Sequence, residues 1–532
     1  MTVTMHSLSG IILAVAGFLG LYVLMKSRTS KALPLPPGPK GLPMIGSVGS
    51  DLPPRGGKDW EHWWKHKELY GPISSVTTAG YTLIILNDTK VALELLEKRS
   101  ARYSSRPRMV MARELAGAGL FMTLRNDPIT VRAQRKRVHL QLCSELALSS
   151  LYPQMDLEVR RFLLRTLRKP EGLMGHIQTT IGGIILKITY GYTTEPHGRD
   201  PLLDLVAKTA VGFGKVNQPA AWLVDSIPAL KYLPTWFPGA EFKKEAREYR
   251  AHFNTLANWP FAFVQHQMNA GKFEPSFVST QIQQAGPHLS LEEEWEIKSS
   301  AAAVYQAGYD TTVSTIKLFF LTMALFPRAQ RKAQEEIDRV VGTRLPTPDD
   351  QANLPYVNAL INEVLRWDPV VQIGIMHAAT EDDIYEGYLI PKGAPVVPNI
   401  WAFTHDPDVY STPLLFRPER FLESDGHPPE RDPHTLAFGF GRRVCPGRSL
   451  ADLNNFLVIA RSLAVFRIQK TVQDGKEIEP IVDYQPGIVS HLSPFEVSIQ
   501  PRSAEHAALI RSIEAEDLVS QGDSAVLEKL KG

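Results

Sequence analysis

The segment FGFGRRVCPG, from Phe438 to Gly447, is the most informative part of this sequence of 532 residues. In it, Cys445 stands directly before Pro446, and proline is favoured as the first residue of a helix, which Ser449–Phe456 could continue. The cysteine sulfur would then face free backbone N–H groups and the positive end of the helix dipole, both of which favour a thiolate. A thiolate held in this way is typical of the axial ligand of an oxygen-activating haem iron.

The residues around this cysteine suit a flat, anionic partner. Gly439, Gly441 and Gly447 allow the backbone to approach such a partner closely. Arg443 could pair with one of its carboxylates. A buried structural cysteine beside a glycine turn is the alternative for this segment taken alone. The sequence contains only 2 cysteines, so it builds neither a disulfide framework nor a Cys-rich zinc site.

The composition is that of a globular protein with a large core. Hydrophobic residues make up 44% of the chain and charged residues 21%. The formal net charge of +2 results from 58 Lys and Arg against 56 Asp and Glu. These values exclude a mainly disordered chain and an electrostatic nucleic-acid binder, so we expect no nucleic-acid partner.

The amino terminus predicts a single membrane anchor. Ser7–Met25 contains no charged residue and is long enough to cross a bilayer as a helix. Because Lys26, Arg28 and Lys31 follow it, the positive-inside rule places the bulk of the chain in the cytosol. A cleavable signal peptide is the alternative, but it would have a basic start and a shorter apolar region. Leu33–Pro39 is proline-rich and predicts a stiff spacer.

Hydrophobic periodicity predicts a mainly helical domain with small sheets. Residues 71–86 and 384–398 have the alternation and turn residues of strand pairs. Residues 89–326 have a mainly helical pattern. Its predicted loops cover residues 191–201, 228–238 and 269–288.

One helix in this region is predicted to be unusually long. Ser290–Glu293 is a capping box, and the helix it opens can run to Phe326, where Pro327 ends it. Residues 307–312 of this helix have the sequence AGYDTT. Glycine and paired threonines weaken a helix interior, which is expected where a helix opens for a ligand. An ordinary bend is the alternative.

Two further motifs place charges at fixed spacing. EVLR, residues 363–366, puts Glu363 and Arg366 on one face of a helix, where they can pair. FRPERF, residues 416–421, contains Arg420. Taken alone, such a pair indicates only a solvated surface contact.

Together these motifs resemble those of the cytochrome P450 family, from the proline-rich segment to about Phe495. The likeness is greatest to membrane-bound fungal members of basidiomycete type, through LPTWFPGA at Leu233–Ala240 and EDDIYEGY at Glu381–Tyr388. The resemblance implies the cytochrome P450 fold, mainly α with small β-sheets, together with an N-terminal transmembrane helix. It also implies a haem b whose iron is bound by the Cys445 thiolate.

The resemblance implies roles for individual residues. Thr311 would steady bound dioxygen, and Asp310 would relay protons. Glu363, Arg366 and Arg420 would form a buried ion-pair triad that supports the haem pocket without taking part in catalysis. The implied haem contacts are Cys445, Arg443, Arg135, His377, Phe438, Gly439 and Gly447.

Two of these haem contacts have open alternatives. Arg135 could be one more charge of the basic run 132–137, and His377 could be a packed histidine. Val131 stands where the family usually has a tryptophan, so an indole N–H donor to a propionate is missing. The sequence does not determine how this affects haem retention.

The implied substrate pocket is largely apolar and indicates a lipophilic substrate. Its implied residues are Met109, Phe121, Ala307, Val371, Ile373 and Ile488.

The sequence thus predicts a haem-thiolate monooxygenase that inserts one oxygen atom from O2 into a small lipophilic substrate, in secondary metabolism or xenobiotic oxidation. It has no G-x-G-x-x-G after a predicted strand, so electrons would come from NADPH through NADPH–cytochrome P450 reductase. The basic clusters 132–137 and 160–169 are either solvated faces or a docking surface for that donor. The alternative functions are a haem-thiolate isomerase or dehydratase, which the intact Asp310–Thr311 pair disfavours, and a non-catalytic haem-binding protein.

The predicted organisation places the protein in the endoplasmic reticulum membrane as a single-pass protein, with its catalytic domain in the cytosol. Its segments are a luminal terminus (1–6), a transmembrane anchor in contact with lipid (7–25), a basic and proline-rich hinge (26–45), a haem-thiolate catalytic domain (46–500) and a C-terminal extension (501–532).

Overall fold

The structure is a computed structural model. It describes residues 33–42, 46–47, 49–54, 57–78, 81–196, 198–218, 221–423, 426, 428–485, 487–516 and 521–530. The predicted anchor at residues 7–25 lies outside these ranges. Within them, no helix is both long and apolar enough to cross a membrane.

Helices form most of the molecule. The longer ones are Asp59–Tyr70, Pro128–Val138, Glu145–Arg168, Leu173–Tyr190, Pro201–Val216, Phe242–Asn269, Phe277–Ala285, Leu291–Leu325, Pro327–Val340, Pro355–Trp367, Arg448–Val465 and Ala504–Glu516. Shorter helices are Thr89–Ala92, Ser100–Tyr103, Leu223–Ser226, Ile400–Thr404, His434–Ala437 and Ser524–Glu528. Phe277–Ala285 lies within a predicted loop, and a capping box between Ser276 and Ser279 starts it.

The helix Leu291–Leu325, called the long helix below, runs through the core. The predicted capping box is present: Ser290 Oγ accepts from the Glu293 N–H at 3.2 Å, and Glu293 Oε2 accepts from the Ser290 N–H at 3.0 Å. The helix ends at Leu325, one residue before the predicted end, and it packs against Leu173–Tyr190 and Arg448–Val465. It is continuous through residues 307–312, so the expected opening of the backbone is absent.

The sheets are small, as predicted, but their composition differs from the prediction. A four-stranded sheet contains, in spatial order, Ile73–Thr78, Tyr81–Leu86, Pro395–Pro398 and His377–Ala378. The predicted strand pair at 384–398 is therefore divided, because the fully buried Val396 and Val397 pair in parallel with Tyr81–Leu86. Two-stranded pairs are Asp383–Tyr385 with Tyr388–Ile390, Phe466–Gln469 with Ser498–Pro501, Thr471–Gln473 with Lys476–Ile478, and Tyr484–Gln485 with His491–Leu492.

Both flanking segments contact the main body. In the proline-rich segment, the Pro37 carbonyl accepts from the Ser75 N–H at 2.8 Å. Near the carboxyl end, Trp259 Nε1 donates to the Leu527 carbonyl at 3.1 Å. Leu527 is itself fully buried, so the C-terminal extension adds to the core.

Candidate active site

A cavity of about 290 Å³ lies between the long helix and the segment Phe438–Gly447. Ala307, Asp310 and Thr311 line it from the helix, and Cys445 lines it from the opposite side. Two segments that are more than a hundred residues apart in sequence therefore face one another across a single cavity.

Backbone geometry explains the glycines of the cysteine segment. Gly439 has φ of 79°, a left-handed conformation that side chains disfavour. At Gly441, a Cβ atom would lie 2.5 Å from the Leu96 carbonyl oxygen, so only glycine fits. The Cys445 N–H donates to the Phe438 carbonyl at 2.8 Å and closes the loop that presents the sulfur to the cavity.

The environment of the sulfur differs from the expectation in one respect. Burial raises the pKa of the Cys445 thiol, and the Gly447 N–H and the charges of Arg135 and Arg448 only partly oppose this. The helix begins at Arg448, not at Pro446. A bound iron would favour the thiolate here, because a metal ion deprotonates a coordinating thiol.

Three arginines converge on the same cavity, and each donates to backbone carbonyls. Arg135 Nη2 donates to the Val444 carbonyl at 2.7 Å, and Arg443 Nε donates to the Ser104 carbonyl at 2.7 Å. Arg106, which the sequence interpretation missed, is 5% exposed and donates through Nη1 to the Met376 carbonyl at 2.7 Å. No local pattern marks Arg106 as a site residue, because its partners are far away in the sequence.

The electrostatics of this arginine cluster favour the binding of an anion. Burial lowers the pKa of Arg106, and repulsion by Arg443 and Arg135 lowers it further. Burial and the neighbouring arginines Arg135 and Arg113 also lower the pKa of Arg443 to about 10. Within the described residues, none of Arg106, Arg135 and Arg443 forms an ion pair with a carboxylate. The two propionates of a haem fit this unbalanced positive charge, and the Cys445 thiol fits its iron.

His377 also lines the cavity. Its Nδ1 donates to the Tyr103 carbonyl at 2.7 Å, which leaves Nε2 for a ligand. Burial lowers the pKa of His377 to about 3, and the nearby Arg106 and Arg443 add to this effect. The imidazole is therefore neutral.

On the long helix, the two predicted oxygen-handling residues are adjacent to the cavity. Thr311 Oγ1 donates to the Ala307 carbonyl at 2.7 Å, one helical turn back. This bond explains how a threonine is accommodated within an unbroken helix. Asp310 is 4% exposed, and its Oδ1 lies 3.0 Å from His491 Nε2.

The predicted substrate positions divide into two groups. Ala307, Val371 and Ile488 line the cavity. Met109, Phe121 and Ile373 are buried but are not among the lining residues, because they pack in the surrounding core. Phe121, for example, lies behind Phe213, edge to face at a centroid distance of 5.5 Å, and it is Phe213 that reaches the cavity.

The predicted ion-pair triad is brought together outside the cavity. Glu363 lies 2.7 Å from Arg366 Nε and 3.1 Å from Arg420 Nε, and all three side chains are 0% exposed. Arg420 Nη1 also pairs with Glu430 at 2.6 Å. One Glu363 oxygen accepts from the Arg417 N–H at 2.6 Å, so the cluster ties the helix Pro355–Trp367 to the segment that follows residue 410.

Comparison with known proteins agrees with this site. The family model for cytochrome P450 matches residues 36–499, which is most of the chain. The chain belongs to the cytochrome P450 family. The mainly helical fold with small sheets is that of the family, as predicted.

Several fungal P450s are similar to this chain over nearly its whole length. It is 47% identical to the cytochrome P450 monooxygenase ppsD of Aspergillus oryzae over 95% of this chain and 96% of that protein. It is also 47% identical to the cytochrome P450 monooxygenase claR of Ampulloclitocybe clavipes over 93% of this chain and 92% of that protein. The O-methylsterigmatocystin oxidoreductase of Aspergillus flavus is 39% identical over 98% of both chains. This P450 is accordingly a haem-thiolate monooxygenase, an oxidoreductase that incorporates oxygen from O2.

Proposed function

We propose that this P450 inserts one oxygen atom from O2 into a small lipophilic molecule bound beside the long helix. The observation that supports this most directly is the single cavity that Cys445 lines on one side and the Asp310–Thr311 pair on the other. When bound, the haem supplies the iron at which dioxygen is activated. The protein's own contribution is to hold this group, to position the substrate and to deliver protons.

In this proposal one group of residues binds the haem at its iron and ring, and a second group binds its propionates. Cys445 would bind the haem iron, and Phe438, Gly439 and Gly447, which line the cavity with it, would contact the haem. Arg106, Arg135, Arg443 and His377 bind the propionates. The additional cation Arg106 offsets the donor that is missing at Val131, which is 5% exposed and lines the cavity as an apolar residue.

Thr311 and Asp310 are proposed to handle oxygen and protons. The Thr311 hydroxyl faces the cavity and can exchange its bond to the Ala307 carbonyl for a bond to an oxygen atom of a ligand. Asp310, the preceding residue, also lines the cavity and would relay protons to it. This acid–alcohol pair favours a monooxygenase over an isomerase or a non-catalytic haem-binding protein.

The lining of the cavity supports a lipophilic substrate. Its apolar part excludes water and offers few hydrogen bonds, so recognition depends mainly on shape and apolar contact. A substrate of secondary metabolism or a xenobiotic would fit this description. The residues that form this part are Phe213, Ala303, Val304, Val370, Val371 and Ile488.

Electrons are proposed to come from NADPH through NADPH–cytochrome P450 reductase. Arg132, Lys136, Arg442 and Arg448 are exposed, and the last two lie within three residues of Cys445 in the sequence. They could attract an acidic donor protein. The second basic cluster supports docking less well, because Arg160 already pairs with Asp156 at 2.7 Å.

The Thr311→Ala variant tests this function. We expect fold and haem to be retained, because alanine favours a helix. Without the hydroxyl, protons should no longer be delivered to a defined oxygen atom. NADPH consumption should continue, while product falls by about a hundredfold or less and hydrogen peroxide rises. The measurement is product formed per NADPH consumed, with the reductase and the compound of a lipophilic panel that shifts the iron spin state most.

Labelled dioxygen is the control for the reaction class. If the wild-type product contains no labelled oxygen, the chain is not acting as a monooxygenase on this compound. A Thr311→Ala variant with an unchanged ratio of product to NADPH would mean that the hydroxyl serves only the helix. A proportional fall in both quantities would indicate a defect in electron transfer.

The membrane anchor is proposed from the sequence alone. Deleting residues 1–30 is expected to move the protein from membranes to the soluble fraction while haem is retained. The deletion leaves the contacts of the proline-rich segment in place, including the Pro34 carbonyl that accepts from the Leu389 N–H at 2.8 Å. Alkaline extraction followed by the carbon monoxide spectrum measures both properties. A truncated protein that still behaves as an integral membrane protein would contradict a single anchor.

A further inference from the structure

A histidine outside the cavity contacts the buried carboxylate on the long helix. His491 Nε2 lies 3.0 Å from Asp310 Oδ1, and His491 Nδ1 lies 3.0 Å from Ser314 Oγ. Asp310 and Ser314 are four residues apart and therefore lie on one face of the helix. The imidazole is thus held between the two side chains through both of its ring nitrogens.

Asp310 is more deeply buried than its partner His491. The Asp310 side chain is 6% exposed and lines the cavity, whereas the His491 side chain is 30% exposed. His491 is not among the residues that line the cavity in the described part of the chain, so its exposed surface is not part of the cavity lining. Asp310 therefore borders the cavity and also contacts a partly exposed imidazole.

The strand that carries His491 connects this contact to the substrate region. His491–Leu492 pairs with Tyr484–Gln485, and between these strands Ile488 and Val489 line the cavity. Lys317, also on the long helix, is a second cation near Asp310. Burial lowers the pKa of Lys317, and the Asp310 carboxylate opposes that shift. Of these two groups, His491 is the one with a direct contact to Asp310, and its side chain is partly exposed.

We propose that His491 is the solvent-side relay residue that reloads Asp310 with protons during oxygen activation. This rests on the proposed function, since Asp310 is used there as the proton carrier. Histidine suits this task because it can gain and lose a proton near neutral pH. Ser314 keeps the ring in place by accepting from its Nδ1–H while Nε2 exchanges protons.

Each proton that His491 gives to Asp310 is replaced from water. The imidazolium gives its Nε2 proton to the Asp310 carboxylate, and the neutral ring takes a new proton from water. The protonated Asp310 turns to the cavity and gives up that proton there. In one turnover, a substrate C–H, O2, two protons and two electrons from NADPH give a C–OH and one water. Protons that His491 relays end in that water molecule.

A purely structural clamp is the competing explanation. In that case His491 would only fasten the strand pair to the long helix. Its loss would then weaken substrate binding and protein stability without changing the fate of the electrons. The two explanations therefore predict different effects on binding and on coupling.

His491→Gln separates them, because an amide can still donate to Asp310 but cannot relay a proton. We expect product per NADPH to fall about tenfold, hydrogen peroxide to rise, and the solvent isotope effect in heavy water to increase. The carbon monoxide spectrum, the rate of the first reduction and the affinity for the spin-shifting compound should stay within about twofold of wild type. Turnover driven by added hydrogen peroxide, which brings its own protons, should also be retained.

Three further variants complete the test. His506→Gln is the matched control and should behave as wild type. His506 lies in the helix Ala504–Glu516, and its Nδ1 is 2.8 Å from Ser503 Oγ. His491→Ala should regain coupling when imidazole is added. If His491→Gln does not fold, Ser314→Ala, which frees only Nδ1, is expected to give a smaller loss of coupling.

Several results would overturn the inference. An unchanged product ratio in His491→Gln would exclude a relay. Equal losses in NADPH-driven turnover, peroxide-driven turnover and substrate affinity would assign His491 to the clamp. If the wild-type enzyme itself forms no product with NADPH and reductase, the proposed function fails first, and the relay falls with it.

Discussion

The Cys445→Ala variant is expected to lose completely the strongly red-shifted Soret band that a reduced P450 gives with carbon monoxide. That band requires a thiolate on the iron, and alanine offers no ligand atom. The arginines and His377 would still attract the propionates, so some haem could remain bound with an ordinary Soret band. The measurement is the carbon monoxide difference spectrum, together with the haem content of the purified protein.

Cys143 provides the matched control for this result. It also lines the cavity and is buried, and burial and the nearby Cys445 raise its pKa to about 12, so its thiol stays protonated. Cys143→Ala should therefore keep the red-shifted band. A Cys445→Ala protein that retains haem and the same band would refute the assignment of the axial ligand.

Replacing Glu363 by glutamine is expected to have the largest effect on stability. Glu363 is fully buried between Arg366 and Arg420, so its loss leaves two buried cations without their shared carboxylate. Breaking a buried ion pair in this way costs about 3–5 kcal/mol in the free energy of unfolding. The measurement is denaturant unfolding, followed by loss of the carbon monoxide band and by circular dichroism.

A surface ion pair gives the reference value. Glu381 lies 2.8 Å from Arg102, but both side chains are about half exposed, at 58% and 49%. Glu381→Gln should cost less than about 1 kcal/mol, because solvent screens such pairs. If Glu363→Gln is no more destabilising than Glu381→Gln, the triad does not support the fold.

Local sequence was sufficient for the features that depend on near neighbours. The capping box at Ser290 and the long helix follow from residues three or four apart, whose contacts are made within one helical turn. The cysteine segment was identifiable because Gly439, Gly441 and Cys445 each meet a backbone requirement within ten residues. These features indicated the family and the reaction class.

Tertiary structure alone determined the features that join distant segments. Arg106 and Arg443 meet at the cavity although they are more than three hundred residues apart, and no periodicity relates them. The division of residues 384–398 between two sheets depends on the pairing of Val396 with Ile84. The pKa of Cys445 is raised mainly by burial, which depends on the whole fold and not on the residues next to it in the sequence.

The contact between Asp310 and His491 has the same origin. The glycine and paired threonines around Asp310 mark it in the sequence, because they are unfavourable in a helix interior. Nothing near His491 distinguishes it from the chain's other histidines. The packing of the strand His491–Leu492 against the long helix brings the imidazole to 3.0 Å from the carboxylate. Propensity and spacing act over one or two turns of chain, whereas a proton path or a charge cluster depends on distances that only the folded core sets.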